Sequence, residues 1–195
     1  MIKRIFDIFS SLLAIIAFLP IYLFVGILVY YSLGWPILYK AKRAGRNNEG
    51  FILIKFRSMK NSNIYSSHHS GDDDPRITKI GKFIRKTKLD ELPQLFNVLF
   101  GKMSIVGPRP ETPEYIKLYN EDQMRILTLR PGITDFASIE FSDMGDLLKG
   151  DDPDKLYFEK VWDKKMKLRM KYVKENNFLV DMKIIFSTIM VIFKK

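Results

Sequence analysis

The hydrophobic pattern divides this chain sharply. Residues 5–33 are almost wholly apolar, and no charged residue occurs from Ile8 to Tyr39. A membrane-spanning helix needs about 20 such residues, so length alone permits a span. Pro20 interrupts the run. Proline removes a backbone donor and collides with the preceding turn, so two helices are expected, over 5–19 and 21–33. At about 1.5 Å per residue each reaches about 20 Å, short of a hydrocarbon core of about 30 Å. Lys3 and Arg4 precede the segment, and Lys40, Lys42, Arg43 and Arg46 follow it. Basic flanks favour the cytoplasmic side. Two of them suit a re-entrant hairpin over residues 1–36 that dips into the membrane and returns. A kinked single span is the alternative, and it strands one basic cluster outside.

Beyond this segment the pattern shortens. Residues 37–40 and 51–57 read as strands, with a turn at Gly45–Gly50. Residues 60–75 read as a mobile polar loop. His68 and His69 lack metal-ligand spacing and read as solvated. Asp72-Asp73-Asp74 lacks the spaced ligands of a calcium loop and reads as a solvated acidic stretch. A short basic helix is expected over 79–88 and a second over 91–99. Pro93 is tolerated only if that second helix begins near Asp90, because a first turn has no intrahelical donors to lose. A longer helix is expected over 113–129, ended by Arg130-Pro131-Gly132. The fold class is therefore α+β, mostly helical. The re-entrant helix is expected to lead into a central domain over 37–154, with C-terminal interfacial helices over 155–195 packed on that domain. Residues 155–174 carry eight Lys/Arg among aromatic and aliphatic residues, a composition suited to a headgroup layer.

Charge sharpens this picture. The chain is 47% hydrophobic yet has a net charge of +10. Lys40 to Pro110 holds 15 Lys/Arg against 6 Asp/Glu, a net of +9. Such a face suits an anionic partner: a phosphate-bearing substrate, an anionic membrane or nucleic acid. No cysteine is present, which excludes disulfides and thiolate metal sites. Within the basic stretch sit two adjacent acids, Asp90 and Glu91, near Arg85, Lys86 and Lys88. A carboxylate that attacks phosphorus divides one hard transfer into two easier ones. A magnesium ion takes carboxylate and substrate phosphate oxygens. Arginine offers a planar, permanent charge for phosphate. Lys55, Arg85 and Arg109 are candidates for that role, with Arg109 stiffened by Pro108 and Pro110. Taken alone, an Asp-Glu pair at a helix start is also ordinary favourable charge at the dipole.

The motifs together resemble the small monotopic phosphoglycosyl transferases of the bacterial sugar transferase family. They are Lys3-Arg4-Ile5-Phe6-Asp7, Lys55-Phe56-Arg57-Ser58-Met59 and Asp74-Pro75-Arg76-Ile77-Thr78. Leu89-Asp90-Glu91-Leu92-Pro93-Gln94 follows, then Met103 through Pro110, then Arg130-Pro131-Gly132-Ile133-Thr134. The match covers nearly the whole chain. The resemblance implies transfer of a phosphosugar from a UDP-sugar to polyprenyl (undecaprenyl) phosphate, with release of UMP, at the start of lipid-linked glycan synthesis. It implies Asp90 as nucleophile through a covalent aspartyl-phosphosugar, Glu91 as a Mg²⁺ ligand, and Lys55, Arg85 and Arg109 near the phosphates or nucleotide. It also implies a re-entrant helix broken at Pro20 in the inner membrane, in contact with membrane lipid, with the site facing the cytosol. Two departures stand out: Leu19-Pro20 where members often have Ser-Pro, and Asp135-Phe136-Ala137-Ser138 where many have Gly-Trp-Ala-Gln. The competing reading is a non-catalytic, membrane-anchored protein that binds anionic lipid or nucleic acid. It leaves the two acids unexplained, and no nucleic-acid module is recognisable. Monomer and dimer are equally compatible with the sequence.

Overall fold

A computed structural model describes residues 2–61 and 69–194. Residues 62–68 of the expected polar loop, His68 among them, lie outside the described residues. The apolar segment folds as α1 (Ile2–Ala17) and α2 (Leu19–Leu33), bent by 63° to one another. The break falls at Phe18, two residues before the expected Pro20, which sits instead in the first turn of α2. The displacement has a cause: the proline ring acts on the turn N-terminal to it, and its missing N–H is harmless at a helix start. Among the described residues no single helix is long and apolar enough to cross a membrane, but the bent pair together passes by length and composition.

Both ends of this pair are fastened to the rest of the protein. At the start, Lys3 Nζ donates to the Val106 carbonyl at 2.9 Å. Arg4 donates to the carbonyls of Val98 at 2.7 Å and Leu99 at 2.9 Å. Asp7 is buried and accepts from Ser104 Oγ at 3.1 Å and Ile105 N–H at 3.0 Å. At the other end, the Arg57 guanidinium donates to the carbonyls of Leu33 and Gly34, which are otherwise orphaned at a helix C-terminus. Val25 and Val29 of α2 pack with Phe56 and Ile84 in one core cluster. The inner face of α2 is thus core, whereas Leu23, Phe24, Ile27 and Tyr31 stay exposed.

Next comes an antiparallel hairpin, β1 (Leu38–Ala44) with β2 (Gly50–Phe56), which sets Tyr39 opposite Lys55. β1 runs four residues past its expected end because Ala41 and Ala44 tuck into the interior. Helix α3 (Lys79–Lys86) is capped by Thr78, whose side chain accepts from Gly81 N–H. Helix α4 (Gln94–Leu99) starts later than expected, behind Pro93. Asp90 lies instead in a 3₁₀ turn, Leu89–Glu91. Pro93 has no N–H to close an α-helical bond onto Leu89, whose carbonyl accepts from Leu92 N at 3.3 Å instead.

A second, parallel pairing joins β3 (Ser104–Val106) to β4 (Gly132–Thr134). Three-residue strands leave no alternation to read, and neither was anticipated. Here two turns meet backbone to backbone. A Cβ on Gly132 would fall 2.1 Å from Gly107 N, and one on Gly107 would fall 2.4 Å from Arg130 O. Only glycine fits both places, which accounts for Gly107-Pro108 and Pro131-Gly132 together. The long helix expected over 113–129 is broken into α5 (Pro113–Ile116), α6 (Glu121–Met124) and a 3₁₀ turn, Arg125–Thr128. The interruption is Asn120, which forms a reciprocal capping box with Gln123 and so restarts the helix. Short helices α7 (Phe136–Glu140), α8 (Met144–Leu147) and α9 (Pro153–Tyr157) follow. A wide turn over Phe158–Trp162 leads into α10 (Asp163–Glu175), and α11 (Phe178–Phe193) closes the chain. α10 does not present all its basic residues outward: Lys165 and Arg169 are buried. α11 packs Ile184 against Val106 and Tyr172, while Leu179, Phe186 and Phe193 stay exposed.

His69 departs from its solvated reading. Its ring stacks on Tyr157 at 3.7 Å, and its Nδ1 lies 2.8 Å from Asp154. Asp74 is likewise engaged, by the Arg76 guanidinium at 2.6 Å.

Asp7→Ala would leave the Ser104 hydroxyl and the Ile105 N–H without their acceptor. Denaturant unfolding in detergent is expected to show a loss of about 1–3 kcal/mol. Asp7→Asn, which keeps an acceptor oxygen, should lose less.

Candidate active site

Four separate pieces of chain bring the expected residues together. Lys55 comes from β2, Arg85 from the last turn of α3, Asp90 and Glu91 from the 3₁₀ turn, and Arg109 from the turn after β3. Lys88 adopts a left-handed conformation, φ 58°, which reverses the chain after α3. Left-handed backbone is costly for a residue with a Cβ, and such strain gathers at functional sites.

Glu91 and Arg109 form the tightest contact. Arg109 Nη1 donates to Glu91 Oε2 at 2.9 Å, and Nη2 donates to Oε1. This is a two-pronged carboxylate–guanidinium pair, the strongest form of such a bond. Burial opposes the Glu91 charge, but Arg109, Lys88 and Lys55 outweigh it and hold the carboxyl well below its ordinary range. The Glu91 charge in turn raises Arg109.

Asp90 is in the opposite state. It is 5% exposed. Burial, then the neighbouring Glu91 charge, pushes its carboxyl up to about 6, against the pull of Lys55, Arg85 and Lys88. Two adjacent carboxyls thus differ because one has a dedicated guanidinium and the other has only the field of several cations. Lys55 is lowered by burial and held up by Asp90 and Glu91. Its ammonium lies 5.4 Å from the centre of the Tyr39 ring. Arg85 donates to Ser70 Oγ at 3.1 Å and approaches Met59 Sδ at 3.4 Å.

Among the described residues no group of three or more His, Asp or Glu is placed to hold a metal ion. Both Glu91 oxygens accept from Arg109, so an ion that takes one protein ligand and completes its shell with substrate phosphate and water would share Glu91 with the guanidinium.

Behind Arg109 lies a charge cluster that the sequence did not suggest. Glu111 Oε1 is 2.8 Å from Arg169 Nη1 and 2.7 Å from Lys165 Nζ. Burial opposes the Glu111 charge, but Lys165 and Arg169 outweigh it and hold the carboxyl far below its usual range. Asp135, the first residue of the departure from the family pattern, is also buried. Its carboxylate caps α7, accepting from Ser138 N–H at 2.6 Å and Ser138 Oγ at 2.7 Å. It also accepts from the Arg109 backbone N–H at 3.3 Å. Position 111 closes the Pro108–Glu111 run and could have been suspected from it. Lys165 and Arg169 sit in a stretch whose composition reads as a solvated or interfacial face.

The chain is similar to several known proteins. An "Undecaprenyl-phosphate glucose phosphotransferase" of Komagataeibacter xylinus is 36% identical over 195 residues, covering 96% of this chain and 35% of the relative. The "Uncharacterized sugar transferase EpsL" of Bacillus subtilis (strain 168) is 36% identical over 188 residues, covering 96% of this chain and 85% of the relative. A "UDP-N-acetylgalactosamine-undecaprenyl-phosphate N-acetylgalactosaminephosphotransferase" of Aeromonas hydrophila is 39% identical over 142 residues, covering 71% of this chain and 34% of the relative. The chain thus spans about a third of the first and third of these and most of the second. The family model described as "Bacterial sugar transferase" matches residues 1–195, and the chain belongs to that family.

Proposed function

We propose that this protein transfers a phosphosugar from a UDP-sugar to polyprenyl phosphate, releasing UMP, through a covalent intermediate on Asp90. The observation that carries the reading is the unequal state of the two acids. Asp90 is buried and has only the field of Lys55, Arg85 and Lys88, while Glu91 is locked to Arg109. A carboxylate short of stabilising partners is the better nucleophile. One Asp90 oxygen attacks the phosphorus that carries the sugar. The Asp90–phosphorus bond forms, the bond to the bridging diphosphate oxygen breaks, and UMP leaves with that oxygen. A phosphate oxygen of the polyprenyl acceptor then attacks the same phosphorus. The aspartyl bond breaks, the Asp90 carboxylate returns, and a polyprenyl diphosphate sugar departs. Lys55, Arg85 and Arg109 offset the charge on the phosphates. Glu91, shared with Arg109, would hold Mg²⁺, which would supply charge neutralisation at the phosphoryl oxygens when bound.

The acceptor is a lipid, and the bent apolar pair supports delivery at a membrane face. Its two ends are fastened to one globular body through Lys3, Arg4 and Asp7 at one end and Arg57 at the other. That favours a re-entrant insertion with both ends on the cytosolic side. The pair of acids inside the basic stretch also favours an enzyme over a binder of anionic lipid.

Asp90→Asn is expected to abolish Mg²⁺-dependent UMP release in an assay with a panel of UDP-sugars and polyprenyl phosphate. Retained turnover would remove Asp90 from the nucleophile's role.

Because attack requires the carboxylate, the wild-type rate should fall as pH drops through about 6. Stability responds in the other sense. The folded carboxyl holds its proton more tightly than the unfolded one, whose pKa is about 4. The resulting stabilisation is complete below about 4 and is lost as pH rises through about 6. Asp90→Asn should therefore raise Tm at pH 8, and the gain should shrink by pH 5. An equal gain at both pH values would contradict it.

The chain has no cysteine, so single cysteines can report topology. Ile2→Cys and Glu49→Cys are expected to react with an impermeant thiol reagent from the same side of sealed vesicles. Labelling from opposite sides would establish a spanning helix.

A further inference from the structure

Arg169 is fully buried on α10, sixty residues from Arg109 in sequence, and it reaches the reverse side of the Pro108–Glu111 turn. Its Nη2 donates to the Arg109 carbonyl at 2.8 Å. Its Nη1 donates to Glu111 Oε1 at 2.8 Å and to the Tyr119 hydroxyl at 3.0 Å. Its Nε lies 3.9 Å from Asp135 Oδ2, the same oxygen that accepts the Arg109 N–H. Both peptide groups of Arg109 are thus held from behind, one by Asp135 and one by Arg169, while its side chain faces Glu91. The Glu111 carbonyl also accepts from Ala44 N–H at 2.9 Å, which ties the turn to the hairpin that carries Lys55.

We infer that Arg169 is a positioning residue for the transfer reaction, acting through the Arg109 backbone to aim the Arg109 guanidinium at Glu91 and the substrate phosphates. The inference rests on the functional reading above, which places Arg109 in the reaction. Stability alone does not call for this arrangement. A buried ion cluster is often no more stabilising than apolar residues of the same volume. What the guanidinium offers is a rigid fork that can hold a carbonyl and a carboxylate at fixed angles. An ammonium in its place keeps the charge and loses the second prong. Misplacement of a phosphate-binding group by a fraction of an ångström is enough to slow transfer.

The experiment compares wild type, Arg169→Lys and Arg169→Met as full-length protein in detergent. It measures Tm, amide hydrogen exchange, and the single-turnover rate constant of UMP release with enzyme in excess. With the enzyme raised until the rate constant no longer changes, it does not depend on the fraction of active molecules, so partial unfolding does not imitate a positioning effect. For Arg169→Lys we expect a folded protein, faster exchange confined to residues 106–111, and a rate constant lowered about tenfold to a hundredfold. Should Arg169→Met fail to fold, Arg169→Lys still decides the matter. An unchanged rate constant, or a slower one with unchanged exchange at 106–111, overturns the inference. Asp90→Asn in the same assay separates the two levels. Turnover retained there defeats the nucleophile reading, whereas its loss together with a normal rate in Arg169→Lys defeats the positioning inference alone.

Discussion

Strand β3 is the seam on which the molecule is assembled. Three residues long, it receives Asp7 from the apolar pair at Ser104 and Ile105, and Lys3 and Tyr172 at the Val106 carbonyl. It pairs with β4 on its other side and continues directly into the Gly107–Glu111 turn. The constraint that keeps it in place is the backbone contact of Gly107 with Gly132, which no side chain can enter. The apolar helix pair, the candidate site and the C-terminal helices are therefore positioned by reference to one short strand. A change in the approach of any of them is felt at Arg109.

Electrostatics then divides the work among acids that look alike in sequence. Asp90, Glu91, Glu111 and Asp135 are all mostly buried, yet each has a different set of partners. Glu91 has a private arginine, Glu111 shares Lys165 and Arg169, and Asp135 is satisfied by α7 and the Arg109 amide. Asp90 alone is left to a general field of cations. An unpaired buried carboxylate is expensive, and a protein retains one where it has chemistry for it to do.

The apolar segment was legible because proline and unbroken hydrophobicity act locally. So were the hairpin, α3, the bacterial sugar transferase family and the gathering of Lys55, Asp90, Glu91 and Arg109. The failures share one cause. Asn120 divides the expected helix over 113–129 because its side chain can cap as readily as it can be solvated. His69 is sequestered by Tyr157 and Asp154, which come from α9, far along the chain. β3 and β4 pair across some 28 residues, and nothing in either triplet announces its partner.

By itself the sequence determined where the chain can bend, which segments are apolar and which residue types can handle a phosphate. Those properties depend on neighbours within a turn or two, through ring geometry, hydrogen-bond capacity and charge. Tertiary structure alone decided which of the two adjacent acids is stabilised and which is not. It also turned Lys165 and Arg169 of α10 inward to the back of the site. The free energy of a buried charge is set by groups that approach through space, and here those groups lie up to sixty residues away in the chain.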